Sequence, residues 1–167
     1  MTIQSLFPDV EAATQKPKPI RFKVIRPVYE TLVVRDDISS YFGNGTRYTD
    51  PEQVFQAFRW LNKETKEYFI VLHLSCRNEL ICIDVVSIGS MNQSVVNIRE
   101  IYKSVLLSSA MAILVLHNHP SQKTEPSRED IQIVRRIKEA GELLNVKLLD
   151  SIIIGESYFS FVSAGLM

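Results

Sequence analysis

Residues 110–144 read AMAILVLHNHPSQKTEPSREDIQIVRRIKEAGELL, and two structural periods meet in that one stretch. Ala110–Leu116 is an uninterrupted apolar run, the pattern of a strand buried on both faces. It runs straight into His117-Asn118-His119-Pro120, where proline ends the strand. After Pro120–Pro126 the period changes. Ser127–Leu144 reads as a helix on which Asp130 aligns with Val134, Ile137, Gly141 and Leu144. Strand, short loop and helix in succession are the unit of a protein with one sheet covered by helices.

Working outward, the same logic extends the fold. Upstream, Glu67–Ser75 is apolar on both faces, as a central strand should be, and Arg77-Asn78 turns it into a second strand over Leu80–Ile88. Arg99–Ser108 has helical spacing, with Ile101 and Val105 on one side. Further back, Asp50 is a good N-cap and Pro51 suits the first helical position, ahead of an apolar stripe of Val54, Phe55, Phe58 and Leu61. Downstream, Val146–Ile154 and Tyr158–Val162 flank Gly155-Glu156-Ser157 as a hairpin. The expected class is α/β (α+β): a single domain over residues 47–167, a sheet flanked by helices. Residues 1–46 are expected to be an N-terminal arm, partly disordered. Lys16-Pro17 and Lys18-Pro19 oppose helix there, residues 20–34 suit an edge strand, and Phe42-Gly43-Asn44-Gly45 suits a turn or linker.

Composition narrows the function classes. The 167 residues are 46% hydrophobic and 23% charged, and 19 basic side chains balance 19 acidic ones. No global positive field draws the chain to nucleic acid. The local run of Lys16, Lys18, Arg21, Lys23 and Arg26 is the only support for such a partner, and a solvated entry segment is the better explanation of it. No apolar run approaches the length of a membrane span, and the N-terminus lacks the pattern of a signal peptide. Cys76 and Cys82 are too few for a disulfide framework and wrongly spaced for a zinc knuckle. They read as core thiols of a reducing cytoplasm.

The chemistry concentrates at His117, His119 and Asp130. Residues i and i+2 of a strand face the same side, so the two imidazoles are presented together. Asp130 tops a stripe expected to be buried, where an unpaired carboxylate costs several kcal/mol and needs a partner. A divalent cation held by two histidines is a suitable one. The competing explanation is local: Ser127-x-x-Asp130 before an apolar run is also a capping box. Two His and one Asp leave a fourth tetrahedral position for water, the pattern of a catalytic zinc site. Zinc lowers the pKa of such water to about 7. A carboxylate or histidine near the metal must then handle its proton. Glu67, at the head of a strand that otherwise reads as core, is the candidate, with Glu100 as the competing choice. Ser127 could donate to a developing oxyanion at the helix N-terminus. His73, deeper in the strand of Glu67, reads as a core histidine.

His117-x-His119-x7-Ser127-x-x-Asp130 resembles the JAMM motif of the JAB/MPN metalloprotease superfamily. His117-Asn118-His119-Pro120-Ser121 followed by Pro126-Ser127-Arg128-Glu129-Asp130-Ile131 is similar to the RadC branch in particular. So are Glu67–Leu72, Ser87-Ile88-Gly89, Gln93–Val96, Arg99-Glu100-Ile101 and Ile153-Ile154-Gly155. The resemblance covers roughly residues 50–167. It implies a JAB/MPN-like mixed sheet flanked by helices, one zinc ion per chain on His117, His119 and Asp130, Ser127 assisting at the oxyanion, and Glu67 acting on the zinc-bound water. Three places depart from the RadC pattern: Gln122 where the loop usually has Gly, the sequence Lys123-Thr124-Glu125, and Ser151 where His commonly follows Asp150. Residues 1–46 are too short for the helix-hairpin-helix region of longer RadC proteins, and no counterpart is expected.

The leading expectation is a zinc metallopeptidase or isopeptidase acting on an unidentified peptide or protein. The alternatives are a nucleic-acid-binding module linked to DNA repair and a non-catalytic MPN-type interaction domain. A nucleobase deaminase needs H-x-E with a later P-C-x-x-C, which is absent. H-E-x-x-H proteases carry both histidines on a helix.

Overall fold

The computed structural model describes residues 46–89 and 96–167. The expected arm, the strand at 20–34, the basic run at 16–26 and the turn at 42–45 lie outside the described residues.

The strand at the centre of the opening stretch is two residues displaced from the apolar run. It spans Ala112–Asn118 (β3) and every residue in it is buried. Ala110 and Met111 precede it, while His117 lies inside it, because its ladder continues past the apolar letters. Glu67–Leu74 (β1) pairs antiparallel with β3, with Phe69 opposite His117 and Leu74 opposite Ala112. Leu80–Gly89 (β2) pairs antiparallel on the other side of β1. Lys147–Ile154 (β4) lies parallel to β3, and Tyr158–Ser160 (β5) closes the hairpin antiparallel to β4. The sheet is therefore mixed, in the order β2-β1-β3-β4-β5.

Strand alternation divides the core into two layers. On one face Phe69, Val71, Ile113, Val115 and Ile153 pack with Val105 of helix Ile98–Leu107 (α2) and Ile137 of helix Arg128–Leu144 (α3). On the other, Ile70, Leu72, Leu116 and Ile152 meet Val54, Phe55 and Phe58 of helix Pro51–Phe58 (α1), and Leu61 of the 3₁₀ turn Arg59–Lys63. Asp50 caps α1 by accepting from the Glu52 amide at 2.8 Å. The parallel β3–β4 pair requires a crossover, and α3 supplies it. Among the described residues no helix is long and apolar enough to cross a membrane.

The two thiols differ from expectation. Cys76 is exposed and Cys82 half-buried, and both are free. Cys76 falls in the turn after β1, and β2 is at the edge of the sheet among the described residues, so neither position is enclosed as a core residue would be. His73 is 1% exposed, its Nδ1 2.8 Å from Ser108 Oγ. That hydroxyl donates to the Val105 carbonyl, so the imidazole N–H donates to it.

Gly141 fixes how close α3 comes to its neighbours. A Cβ there would lie 2.4 Å from the Val146 carbonyl oxygen and 2.7 Å from Tyr102 Oη. That phenol is buried, donates to the Ile137 carbonyl at 2.7 Å, and burial pushes its pKa up to about 12. In an open helix Gly→Ala stabilises by up to about 1 kcal/mol. Here the added methyl meets backbone, so Gly141→Ala should destabilise by about 1–3 kcal/mol, as overpacking does. The urea midpoint reads the sign directly, and an upward shift would contradict this packing.

Candidate metal centre

The end of β3 positions the histidines. His117 is still in the ladder, and the His119 amide donates to the Ile154 carbonyl at 3.0 Å, keeping the backbone extended for two more residues. Both side chains therefore leave on one face. Their rings are tilted at 57°, with centroids 5.0 Å apart, so they converge rather than lie parallel. His117 is buried beside Phe69, whose ring stacks nearly parallel to it with centroids 6.1 Å apart. His119 is more open, its side chain 16% exposed.

Asp130 comes from α3. It is 1% exposed, and Val134, Ile137 and Gly141 of the expected stripe are buried with it. Leu144 is 37% exposed. The helix ends there, at Asn145 in the left-handed conformation. Both explanations of Ser127 and Asp130 hold at once. The capping box is formed: Ser127 Oγ accepts from the Asp130 amide at 3.1 Å and donates to Asp130 Oδ2 at 2.6 Å, and the Ser127 amide donates to the same oxygen at 2.7 Å. The carboxylate nevertheless faces both imidazoles. His117 Nε2 lies 3.2 Å from Oδ1 and His119 Nε2 3.5 Å from Oδ2, while the two Nε2 atoms are 3.2 Å apart.

Three features fit this cluster to a cation. One ligand atom from each of the three residues lies within 4.8 Å of the others, so His117, His119 and Asp130 could hold a metal ion. Asp130 Oδ1, although close to His117 Nε2, has no aligned hydrogen-bond donor. His119 Nδ1 is 2.7 Å from the Lys123 carbonyl, which can only accept, so Nδ1 carries the proton and Nε2 offers its lone pair. The electrostatics agree. Burial pushes the Asp130 carboxyl up, but the contacts from His117, His119 and Ser127 outweigh it and hold the group well below the carboxylate range. The hydrogen bond with Asp130 raises the His119 pKa, burial opposes this, and the Lys123 carbonyl and the charges of Asp130 and Glu67 add to the rise. The pocket favours positive charge, and a divalent cation would displace the proton that otherwise supplies it.

Glu67 stands where β1 and β3 part. Their ladder ends at Phe69–His117, and continuing it by two residues would set Glu67 opposite His119. Instead the Asn118 side chain bridges the gap. Its Oδ1 accepts from the Tyr68 amide at 2.7 Å and its Nδ2 donates to the Lys66 carbonyl at 3.0 Å. The fully buried amide thus grips β1 on either side of Glu67. Glu67, His119, Ser121, Ser127, Glu129 and Asp130 line one cleft of about 360 Å³. Glu100 stands apart: it is exposed in the first turn of α2 and paired with Lys103. Asn118 and the Lys123 carbonyl were not singled out in the sequence. A polar residue closing an apolar strand was a usable signal for Asn118, whereas a main-chain carbonyl has no letter.

Comparison with known proteins agrees with this architecture. The family model described as RadC-like JAB domain matches residues 48–166. The chain belongs to the RadC family. Its RadC relatives include the UPF0758 protein of Geotalea uraniireducens, 47% identical over 123 residues, which cover 72% of this chain and 54% of that protein. The UPF0758 protein of Geobacter sulfurreducens is 45% identical over 123 residues, with the same coverage. The UPF0758 protein of Methanosarcina acetivorans is 44% identical over 99 residues, 59% of this chain and 43% of that protein. This RadC chain spans about half the length of the curated relatives it matches. The five-stranded mixed sheet with its helices is the fold of a JAB domain.

Proposed function

We propose that this chain is a zinc-dependent hydrolase of the JAMM type that cleaves a peptide or isopeptide bond. The observation that carries the reading is the convergence of His117 Nε2, His119 Nε2 and the Asp130 carboxylate beside a cleft that His119, Asp130 and Glu67 line. A nitrogen-rich set of two imidazoles and one carboxylate suits zinc better than the oxygen-seeking magnesium or calcium. Bound zinc would supply Lewis acidity and a water acidified toward a pKa of about 7.

The chain's own residues have separable tasks. Asp130 contributes negative charge to the ligand set while its Oδ2 holds Ser127 in the cap. Glu67 lines the same cleft as His119, and in this reading it takes a proton from a nucleophilic water and returns it to the leaving nitrogen. Ser127 lines the cleft at the N-terminus of α3. By turning its proton from Asp130 toward the substrate, it can stabilise an oxyanion, with the helix dipole adding to the effect.

Elemental analysis of protein purified without added metal tests the reading. About one zinc per chain is expected, lost in His119→Ala with the circular dichroism spectrum retained. That result would be followed by screening quenched peptides and lysine-linked isopeptides for hydrolysis. Protein that neither carries zinc nor takes it up on addition would overturn the hydrolase reading and leave Ser127 and Asp130 as a helix cap.

A further inference from the structure

His117 is immobilised by burial and by Phe69; His119, more exposed, depends on the loop that follows it. That loop contains a residue in an unusual conformation. Gln122 has φ of 67°, in the left-handed region that side chains other than glycine's seldom adopt. A residue held there is fixed by its surroundings, and three contacts do so. The Gln122 amide donates to the His119 carbonyl at 2.8 Å. Its own carbonyl accepts from the Glu156 amide at 3.3 Å and abuts Gly155, where a Cβ would lie 2.3 Å from it. Its side-chain Nε2 donates to the Asn62 carbonyl, 60 residues away in the 3₁₀ turn. The next residue is Lys123, whose carbonyl faces His119 Nδ1.

We propose that Gln122 is a positioning residue for the metal centre: by tying the 120–126 loop to the 3₁₀ turn, its side chain holds the Lys123 carbonyl against His119 and selects the imidazole tautomer that binds a divalent cation. The inference rests on the proposed metal reading of His117, His119 and Asp130. The mechanism is indirect. Gln122 is outside the ligand set and does not line the cleft. It sets the direction of a carbonyl whose hydrogen bond keeps the proton on Nδ1 and the lone pair on Nε2, the way outer contacts orient metal-binding histidines.

The test uses the full chain with two readouts. The first is zinc affinity, by competition with a chromophoric chelator. The second is the histidine tautomer in metal-free protein, by long-range ¹H–¹⁵N correlation at a pH above the imidazole range. Gln122→Glu keeps the size but sets a carboxylate against the Asn62 carbonyl; Gln122→Ala removes the link. Both should weaken zinc binding by roughly 10–100-fold and give His119 a mixed tautomer signature, with His117 unchanged. Gln122→Gly suits the backbone conformation but lacks the anchor. It should match Gln122→Ala in zinc affinity while melting no lower, which separates anchoring from stability. Wild-type zinc affinity and a single Nδ1–H tautomer at His119 in Gln122→Glu and Gln122→Ala would overturn the proposal. If the wild type takes up no zinc, the metal reading fails, and the tautomer spectra of the metal-free proteins still decide whether Gln122 orients His119.

Discussion

Asp130→Ala should lose zinc affinity by more than about 100-fold, because removing a direct ligand exceeds the 10–100-fold cost typical of an outer-shell contact. The variant also removes the acceptor of two hydrogen bonds from Ser127. A lost cap costs about 1 kcal/mol, so its melting temperature should fall even without metal. Asp130→Asn separates the two effects. Its amide oxygen can still accept from Ser127, preserving most of the cap, but it carries no charge toward the imidazoles. Zinc competition and thermal melts on both variants check the assignment. Near-wild-type zinc binding in Asp130→Asn would show that the carboxylate is a cap and not a ligand.

Glu67→Gln is expected to behave in the opposite way. Glu67 is outside the proposed ligand set, so zinc stoichiometry should stay near that of the wild type. Hydrolysis of whichever peptide or isopeptide the wild type cleaves should fall by roughly 10²–10⁴-fold, the usual contribution of a positioned proton-transfer group. Glutamine preserves the shape of the side chain while removing its basicity. A rate within threefold of wild type would remove Glu67 from the mechanism and return attention to Glu129, the cleft's remaining carboxylate outside the proposed ligand set. The two substitutions together divide the site into a part that holds the cation and a part that moves protons.

The proposed ligand set was legible because each of its features is a matter of period. Strand spacing puts His117 and His119 on one face, and helix spacing puts Asp130 above Val134, Ile137 and Gly141. The loop between them is short enough to bring both ends to the same place. The strand order was not legible, since the parallel pairing of β3 with β4 depends on how α3 packs, and no local pattern encodes that. The bounds of β3 were misjudged because its apolar letters stop at Leu116 while its hydrogen-bond ladder continues through Asn118. Cys76 was read as core from its apolar neighbours, yet it belongs to a turn. The link from Gln122 to Asn62 joins a side chain to a distant main-chain oxygen, a kind of contact that leaves no pattern along the chain.

Asn118 grips β1 entirely through main-chain atoms, the Lys66 carbonyl and the Tyr68 amide. Every residue has that carbonyl, and every residue but proline has that amide. The identities of side chains 66 and 68 are therefore decoupled from the placement of Glu67 between them. Tyr68 packs on the other face of the sheet with Ile70 and Leu72, so it can change, in natural divergence or by redesign, while Glu67 keeps its place relative to His117, His119 and Asp130. The two faces of this strand can therefore diverge independently at adjacent positions.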